Sequence, residues 1–261
     1  MPTPDLLAAR ALLAQAAGRP RGLCVLTGAG MSAESGVPTF RDALTGYWSK
    51  FDPADLASDA GFRADPARVW GWYAERRDGV RAALPNPGHR ALADWARRHP
   101  GCMTLVTQNV DDLHQRAGQT DAIRLHGDIL GDQWLDTCPG LRTPGERCQP
   151  GSAQPGLPPS CGICGNLVRP AVVWFGESLP ADALEAAEQA AGQCEALLVV
   201  GTSGAVWPAA GLAGLARRQG ARVIIVNPAA SEIDAEAHLV LRGTAAELLP
   251  RMLLVDSPVM D

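Results

Sequence analysis

At 261 residues, 46% of them apolar and 20% charged, the chain is long enough for one large core or for a principal domain with a smaller insertion, and neither a repeat array nor a disordered tail is needed to account for it. No apolar run approaches the roughly 20 residues of a membrane span, so a soluble protein with no membrane partner is expected. A formal charge of −5 with both signs interspersed lacks the basic footprint of a dedicated nucleic-acid binder.

In chain order, residues 1–21 place Asp5 ahead of the apolar stretch and lack a basic leader. They predict an amphipathic helix with Leu6, Leu7, Ala9, Leu12 and Leu13 partly on one face, rather than a secretory signal. Leu23–Thr27 follows as a short buried strand and runs into Gly28-Ala29-Gly30-Met31-Ser32-Ala33. This is a G-x-G-x-x-A form of the dinucleotide fingerprint, whose glycines let backbone N–H groups approach a pyrophosphate. Taken alone, it reads equally well as a tight structural turn. Residues 34–85 contain no convincing buried strand and carry Trp70, Trp72 and Tyr73, which predicts a helical insertion, and Asn86-Pro87-Gly88-His89 reads as the start of the next helix.

The second strand is expected at Met103–Thr107. Gln108, Asn109 and Asp111 follow it directly, where ligands gather outside the carboxyl ends of strands in an open α/β sheet. The short apolar stretch Ala122–Leu125 ends on His126, and a glycine follows. Residues 127–169 hold four of the seven cysteines amid Pro and Gly, which predicts a small module held by something other than an apolar core. Further strands are expected at Ala171–Phe175, Ala196–Gly201, Arg222–Asn227 and His238–Leu241. Their alternation with helical patterns is the sequence form of a parallel sheet covered on both faces. The expected architecture is α/β: a Rossmann-like sheet from residues 1–33, 86–126 and 170–261, with a smaller domain made of a loop and helical insertion (34–85) and a zinc-binding module (127–169).

The string from Gly28 to Asp42, including Phe40 and Arg41, resembles the first signature of the sirtuin family. Further segments match the same family in order: Thr107-Gln108-Asn109-Val110-Asp111 with Leu113-His114 and Ala117-Gly118, Leu125-His126-Gly127, Val172-Val173-Trp174-Phe175-Gly176-Glu177, Gly201-Thr202-Ser203 and Asn227-Pro228. The resemblance covers nearly the whole chain. It implies NAD as co-substrate, with Gly28, Ala29, Gly30 and Ser32 in the fingerprint loop and Asn109 and Asp111 holding the nicotinamide and its ribose. Gln108 would lie against that ribose, while Gly201, Thr202, Ser203 and Asn227 would contact the adenosine half. Phe40 and Arg41 would shield the reacting sugar.

His126 is implied as general base; a lone histidine in such a place is more often a core residue, and the family register of its neighbours decides otherwise. His89, His99, His114 and His238 have no comparable setting, although Asn86-Pro87-Gly88-His89 also resembles a recurrent family segment. The implied reaction is attack of an acyl-lysine carbonyl oxygen on the anomeric carbon of NAD as nicotinamide leaves. His126 then takes a proton from the ribose, whose 2′-hydroxyl attacks the imidate; with the addition of one water the products are free lysine and O-acyl-ADP-ribose. The acyl-lysine protein or peptide would bind extended between Phe175-Gly176-Glu177 and Val206-Trp207-Pro208, with Val172 and Phe175 lining the acyl tunnel. Trp72-Tyr73-Ala74-Glu75-Arg76-Arg77 looks like the segment that carries a Tyr/Arg pair in class III sirtuins. Tyr73 and Arg76, three apart, share a helical face and suit a succinyl, malonyl or glutaryl carboxylate, although Arg77 reaches the same face.

Cys161-x2-Cys164 is half of a zinc signal, but the usual first C-x2-C pair is absent. Cys138 and Cys148, separated by nine residues and with twelve more before Cys161, would complete a structural zinc site of four cysteines. Cys24, Cys102 and Cys194 read as buried small hydrophobes, and thiols used in this way point to the reducing cytoplasm. Two other readings stay open at this stage: a mono-ADP-ribosyltransferase or NAD hydrolase of the same family, and a non-catalytic NAD sensor.

Overall fold

The computed structural model describes residues 3–39, 49–137, 148–149, 151 and 154–253. In chain order the elements are α1 (Pro4–Ala16), β1 (Leu23–Thr27), α2 (Pro53–Leu56), α3 (Asp59–Ala64), α4 (Pro66–Ala82), α5 (Pro87–Arg98), β2 (Met103–Thr107), α6 (Leu113–Arg116), β3 (Ile123–Arg124), β4 (Gly127–Trp134), β5 (Val168–Val172), α7 (Ala181–Gln193), β6 (Ala196–Val200), α8 (Gly211–Arg218), β7 (Arg222–Val226), β8 (Leu239–Leu241) and α9 (Ala245–Leu253). They fall into two compact units: Met1–Thr39 with Ala83–Leu125 and Leu179–Asp261, and Phe40–Ala82 with His126–Ser178.

The first unit is a parallel sheet with strand order β3-β2-β1-β6-β7-β8 among the described residues. Counted within the unit this is the doubly wound order, and the winding reverses between β1 and β6. Side chains alternate across the sheet with period two, so each strand feeds two cores. Leu23, Val25, Leu198 and Ile224 pack with α1, α5 and α9, while Cys24, Leu26, Leu197 and Ile225 pack with the alanine-rich faces of α7 and α8. Helix α1 starts where Thr3 accepts from the Leu6 amide and Pro4 fills the first turn, a position that needs no N–H. It buries Leu6, Ala9, Leu13 and Ala16, whereas Leu7 stays 50% exposed. The stripe is therefore narrower than the five-residue face expected from sequence.

The second unit contains α2, α3 and α4 and a two-stranded antiparallel pair, β4–β5. Here the strand expected at Ala171–Phe175 in the parallel sheet is corrected: it runs Val168–Val172 and pairs with β4 instead. A short apolar run specifies burial but not its partner. Strand β4 is half-exposed and shifts register between Asp128 and Asp132, so it carries too little alternation to signal itself. Helix α4 bears on β4 through Arg77, which is buried and donates to the carbonyls of Ile129 and Gly131 and to Asp132. Among the described residues no helix is long and apolar enough to cross a membrane.

Candidate active site

At the reversal point of the first unit, the loops after β1 and β6 touch backbone to backbone. A Cβ on Gly28 would lie 2.7 Å from Thr202 Cβ, and one on Gly30 would lie 2.7 Å from Gly201 Cα. Gly201 has φ +62°, and its own Cβ would meet Gly30 C at 2.5 Å. The Gly28 and Gly30 amides donate to Val200 O and Gly201 O at 2.9 and 2.8 Å. These glycines therefore serve first to let two loops meet, and their N–H groups are already used within the protein. Ala29–Met31 and Ala33–Ser35 are single 3-10 turns rather than the start of a long helix.

The loop after β2 closes on the first of these. The Asn109 amide donates to Thr107 Oγ1 at 3.0 Å, and its Nδ2 donates to Ser32 Oγ at 3.0 Å. Ser32, Asn109 and Asp111 are all buried. Burial raises the Asp111 carboxyl above the ordinary range, against the Leu113 amide and the Ser32 hydroxyl, which favour its anion. Gln108 Nε2 donates to Thr202 Oγ1 at 3.2 Å, and Asn227 Nδ2 to Thr202 O at 3.3 Å. Ser203 is exposed and accepts from the Ala205 amide, and Val206 is 43% exposed. The fold thus gathers Gly28 to Ser32, Gln108 to Asp111, Gly201 to Ser203 and Asn227 at the carboxyl ends of β1, β2, β6 and β7. Phe40 and Arg41 lie outside the described residues.

In the second unit His126 is half-buried at the entry to β4, and its carbonyl accepts from the Val173 amide at 2.9 Å. Gly127 has φ +82°, and a Cβ there would lie 2.2 Å from Ala171 O. Only glycine allows β5 to approach so closely, which fixes where the histidine stands. Val172 is buried, Phe175 is 56% exposed, and Gly176 turns with φ +86°. The Glu177 carboxylate is held by the two terminal guanidinium nitrogens of Arg169 and by the Trp174 amide. Burial pushes this carboxyl up, but Arg169 and the amide outweigh it and bring it below the usual range. The side chain therefore shapes the turn, in which the Phe175 and Glu177 amides donate to Ala57 O and Trp174 O at 2.9 and 3.0 Å.

Tyr73 is buried, and its oxygen accepts from the Trp174 indole N–H at 3.0 Å. The Arg76 guanidinium lies 4.6 Å from the Trp72 ring centroid and 5.7 Å from that of Tyr73, while Arg77 is engaged with β4. Spacing alone left these two arginines equivalent, and their contacts separate them.

Cys148 Sγ and Cys164 Sγ lie 3.6 Å apart, and with Cys161 the three sulfurs fall within 4.8 Å of one another. Two sulfurs each about 2.3 Å from a tetrahedral zinc would be about 3.8 Å apart, so the set fits that metal. The backbone N–H groups of Cys164 and Ile163 lower the Cys161 thiol to about 6, which favours the thiolate a metal needs. Cys138 lies outside the described residues. Cys24 and Cys194 are buried, and burial raises both thiols; Cys102 packs against the first apolar cluster but is only partly buried.

Sequence reasoning also passed over His89 and His114. Both are fully buried in the first unit, and their one sequence signal was that each sits inside a segment of family register.

Compared with known proteins, the chain matches the Sir2 family model over residues 28–208. An NAD-dependent protein deacylase of Ralstonia nicotianae is 55% identical over 229 residues, covering 88% of this chain and 89% of its own length. A solved Sir2 homolog–NAD complex is 38% identical with a TM-score of 0.78, covering 92% of this chain and 91% of the other. A Sir2–p53 peptide–NAD+ structure is 30% identical with a TM-score of 0.74, covering 92% and 95%.

Proposed function

Since the chain belongs to the Sir2 family, we propose that it is an NAD-dependent protein-lysine deacylase that transfers the acyl group of a modified lysine to ADP-ribose and releases nicotinamide. The observation that carries this reading is the buried trio Ser32, Asn109 and Asp111 at the reversal point of a doubly wound sheet, where such folds take dinucleotides. In this reading Asn109 and Asp111 hold the nicotinamide and its ribose, with Gln108 beside them. The 28–32 loop faces the pyrophosphate, residues 201–203 and Asn227 the adenosine half, and Phe40 and Arg41 cover the reacting sugar. His126 is the general base, taking the ribose hydroxyl proton. Cys148, Cys161, Cys164 and Cys138 hold a structural zinc. The reducing chemistry of thiolate ligands supports a cytoplasmic protein.

An extended acyl-lysine peptide meets the backbone of Phe175-Gly176-Glu177 and the exposed Val206 by main-chain pairing, which reads little sequence. Selection then falls to the acyl pocket, with Val172 and Phe175 as walls. We assign Tyr73 and Arg76 to an acidic acyl group, so succinyl, malonyl and glutaryl are removed in preference to acetyl. Two contacts support the assignment. Arg77 is already engaged by β4 carbonyls, and the indole N–H, a donor only, makes Tyr73 Oη an acceptor, so its own proton is left for a carboxylate. A mass-spectrometric assay of acetyl-, succinyl- and glutaryl-lysine peptides, with and without NAD, should find nicotinamide and O-acyl-ADP-ribose only with NAD. His126→Ala is expected to lower turnover at least about 100-fold while NAD still binds; near-normal turnover would remove His126 as the base.

A further inference from the structure

His89, in the first turn of α5, and His114, in α6, have ring centroids 4.7 Å apart and no appreciable exposure. Their outer hydrogen bonds assign the tautomers. The Asn86 amide donates to His89 Nδ1 at 3.3 Å, so Nδ1 is bare and Nε2 carries the proton. Thr27 Oγ1 donates to Thr107 Oγ1 at 2.8 Å and lies 3.0 Å from His114 Nε2. Having given its proton to Thr107, Thr27 accepts from His114, which is therefore protonated at Nε2 and bare at Nδ1. What remains is one donor, His89 Nε2–H, and one acceptor, His114 Nδ1, both buried and without a hydrogen-bond partner among the described residues, on rings whose centroids lie 4.7 Å apart. The reverse order, Thr107 to Thr27 to His114, would put protons on both remaining nitrogens and leave two buried donors unpaired.

The ends of this chain reach both loops of the first unit's candidate site. Asn86 Nδ2 donates to Met31 O at 2.8 Å, in the 28–32 loop. Thr107 Oγ1 accepts the Asn109 amide, and Asn109 returns to Ser32. We propose that His89 and His114 are positioning residues, a neutral proton-ordered pair joined from His89 Nε2–H to His114 Nδ1, which holds the Gly28–Ser32 and Gln108–Asp111 loops in register for NAD. The functional half of this inference rests on the reading of those loops as the NAD site. Neutrality agrees with the surroundings: burial, then the Arg116 and Arg90 guanidiniums, lower His89 to about 4, and burial, then His89 and Arg124, lower His114 to about 3.

Long-range proton–nitrogen NMR spectra of the 15N-labelled full chain at pH 7 test the pair without any substitution. Both rings are expected to be neutral and protonated at Nε2, with a slowly exchanging His89 Nε2 proton coupled across the hydrogen bond to His114 Nδ1. A cationic ring, or a proton on His114 Nδ1, overturns the pair. His89→Phe and His114→Phe keep a ring but cut the chain. Each is expected to raise KM for NAD about tenfold, the scale of one positioning hydrogen bond, with KM for the acyl-lysine peptide held within about twofold. The double variant should match the single ones, because a chain cut once is already cut. Losses that multiply in the double variant, or an unchanged KM for NAD in folded single variants, overturn the positioning role. A wild-type protein without NAD-dependent turnover would sink the functional reading alone, and the spectra would still decide the pair.

Discussion

In the first unit β1 and β6 are buried along their whole length, and two apolar clusters close over the sheet. The second unit also buries large apolar side chains, Phe62, Trp72 and Trp174 among them, but adds two buried guanidiniums. Arg77 is tied to β4 carbonyls and Asp132, and Arg169 to Glu177 and Val172 O beneath the Trp174 ring. Apolar burial is non-directional and survives repacking. A buried charge is stable only while each of its hydrogen bonds is made, and it loses several kcal/mol when one partner goes. Under the proposed function the difference divides the tasks: the first unit offers a rigid edge for NAD, and the second holds particular side chains at particular angles.

Removing the metal should break this contrast most sharply. Cys161→Ser or a strong chelator is expected to take bound zinc from about one per chain to none, and to expose the second unit to proteolysis while the first resists. Equal protease sensitivity of both units, or full activity without metal, would show that the cysteines hold nothing together. Within the second unit, Arg76→Met should reduce desuccinylation relative to deacetylation by roughly 2–5 kcal/mol of discrimination. Arg77→Met should instead lower thermal stability and both activities together. Exchange of these two outcomes would put the wrong arginine in the pocket.

The smallest effect probes the first unit. His89 and His114 are lowered in the native state to about 4 and about 3 from an ordinary 6.5. Above pH 6.5 neither state binds the proton, and no stability depends on it. As pH falls from 6.5 toward 4 the unfolded chain takes up protons that the native chain refuses, so stability falls by up to about 1.4 kcal/mol per pH unit for each histidine. Scanning calorimetry between pH 7 and 5 should show this slope in the wild type and a flatter one in the His89→Phe/His114→Phe double variant. Identical slopes would mean that both rings titrate normally.

Much of the first unit was legible from residues alone. Strands β1 and β2 fall where their apolar runs predict, and the Asn86-Pro87 start of α5 is where a capping side chain and a proline allow it. Burial on both faces demands continuous apolar runs, and such runs are visible in one dimension. The second unit was less legible, since β5 needed β4 as a partner and β4 hardly announces itself. The glycine fingerprint shows the same limit: its position was readable, but its first use, contact with Gly201 and Thr202 across a long stretch of chain, was not.

Periodicity, turn chemistry and contiguous motifs are local properties. They were enough to establish the α/β class, the places where strands hand over to polar loops, and the family to which those loops belong. Folding was needed to settle which arginine of Arg76-Arg77 is engaged by a strand, which cysteines come within a metal's reach, and that His89 and His114 meet inside the core. Each of those outcomes depends on atoms brought together from distant parts of the chain, where side-chain identity is known in advance but direction and partner are not.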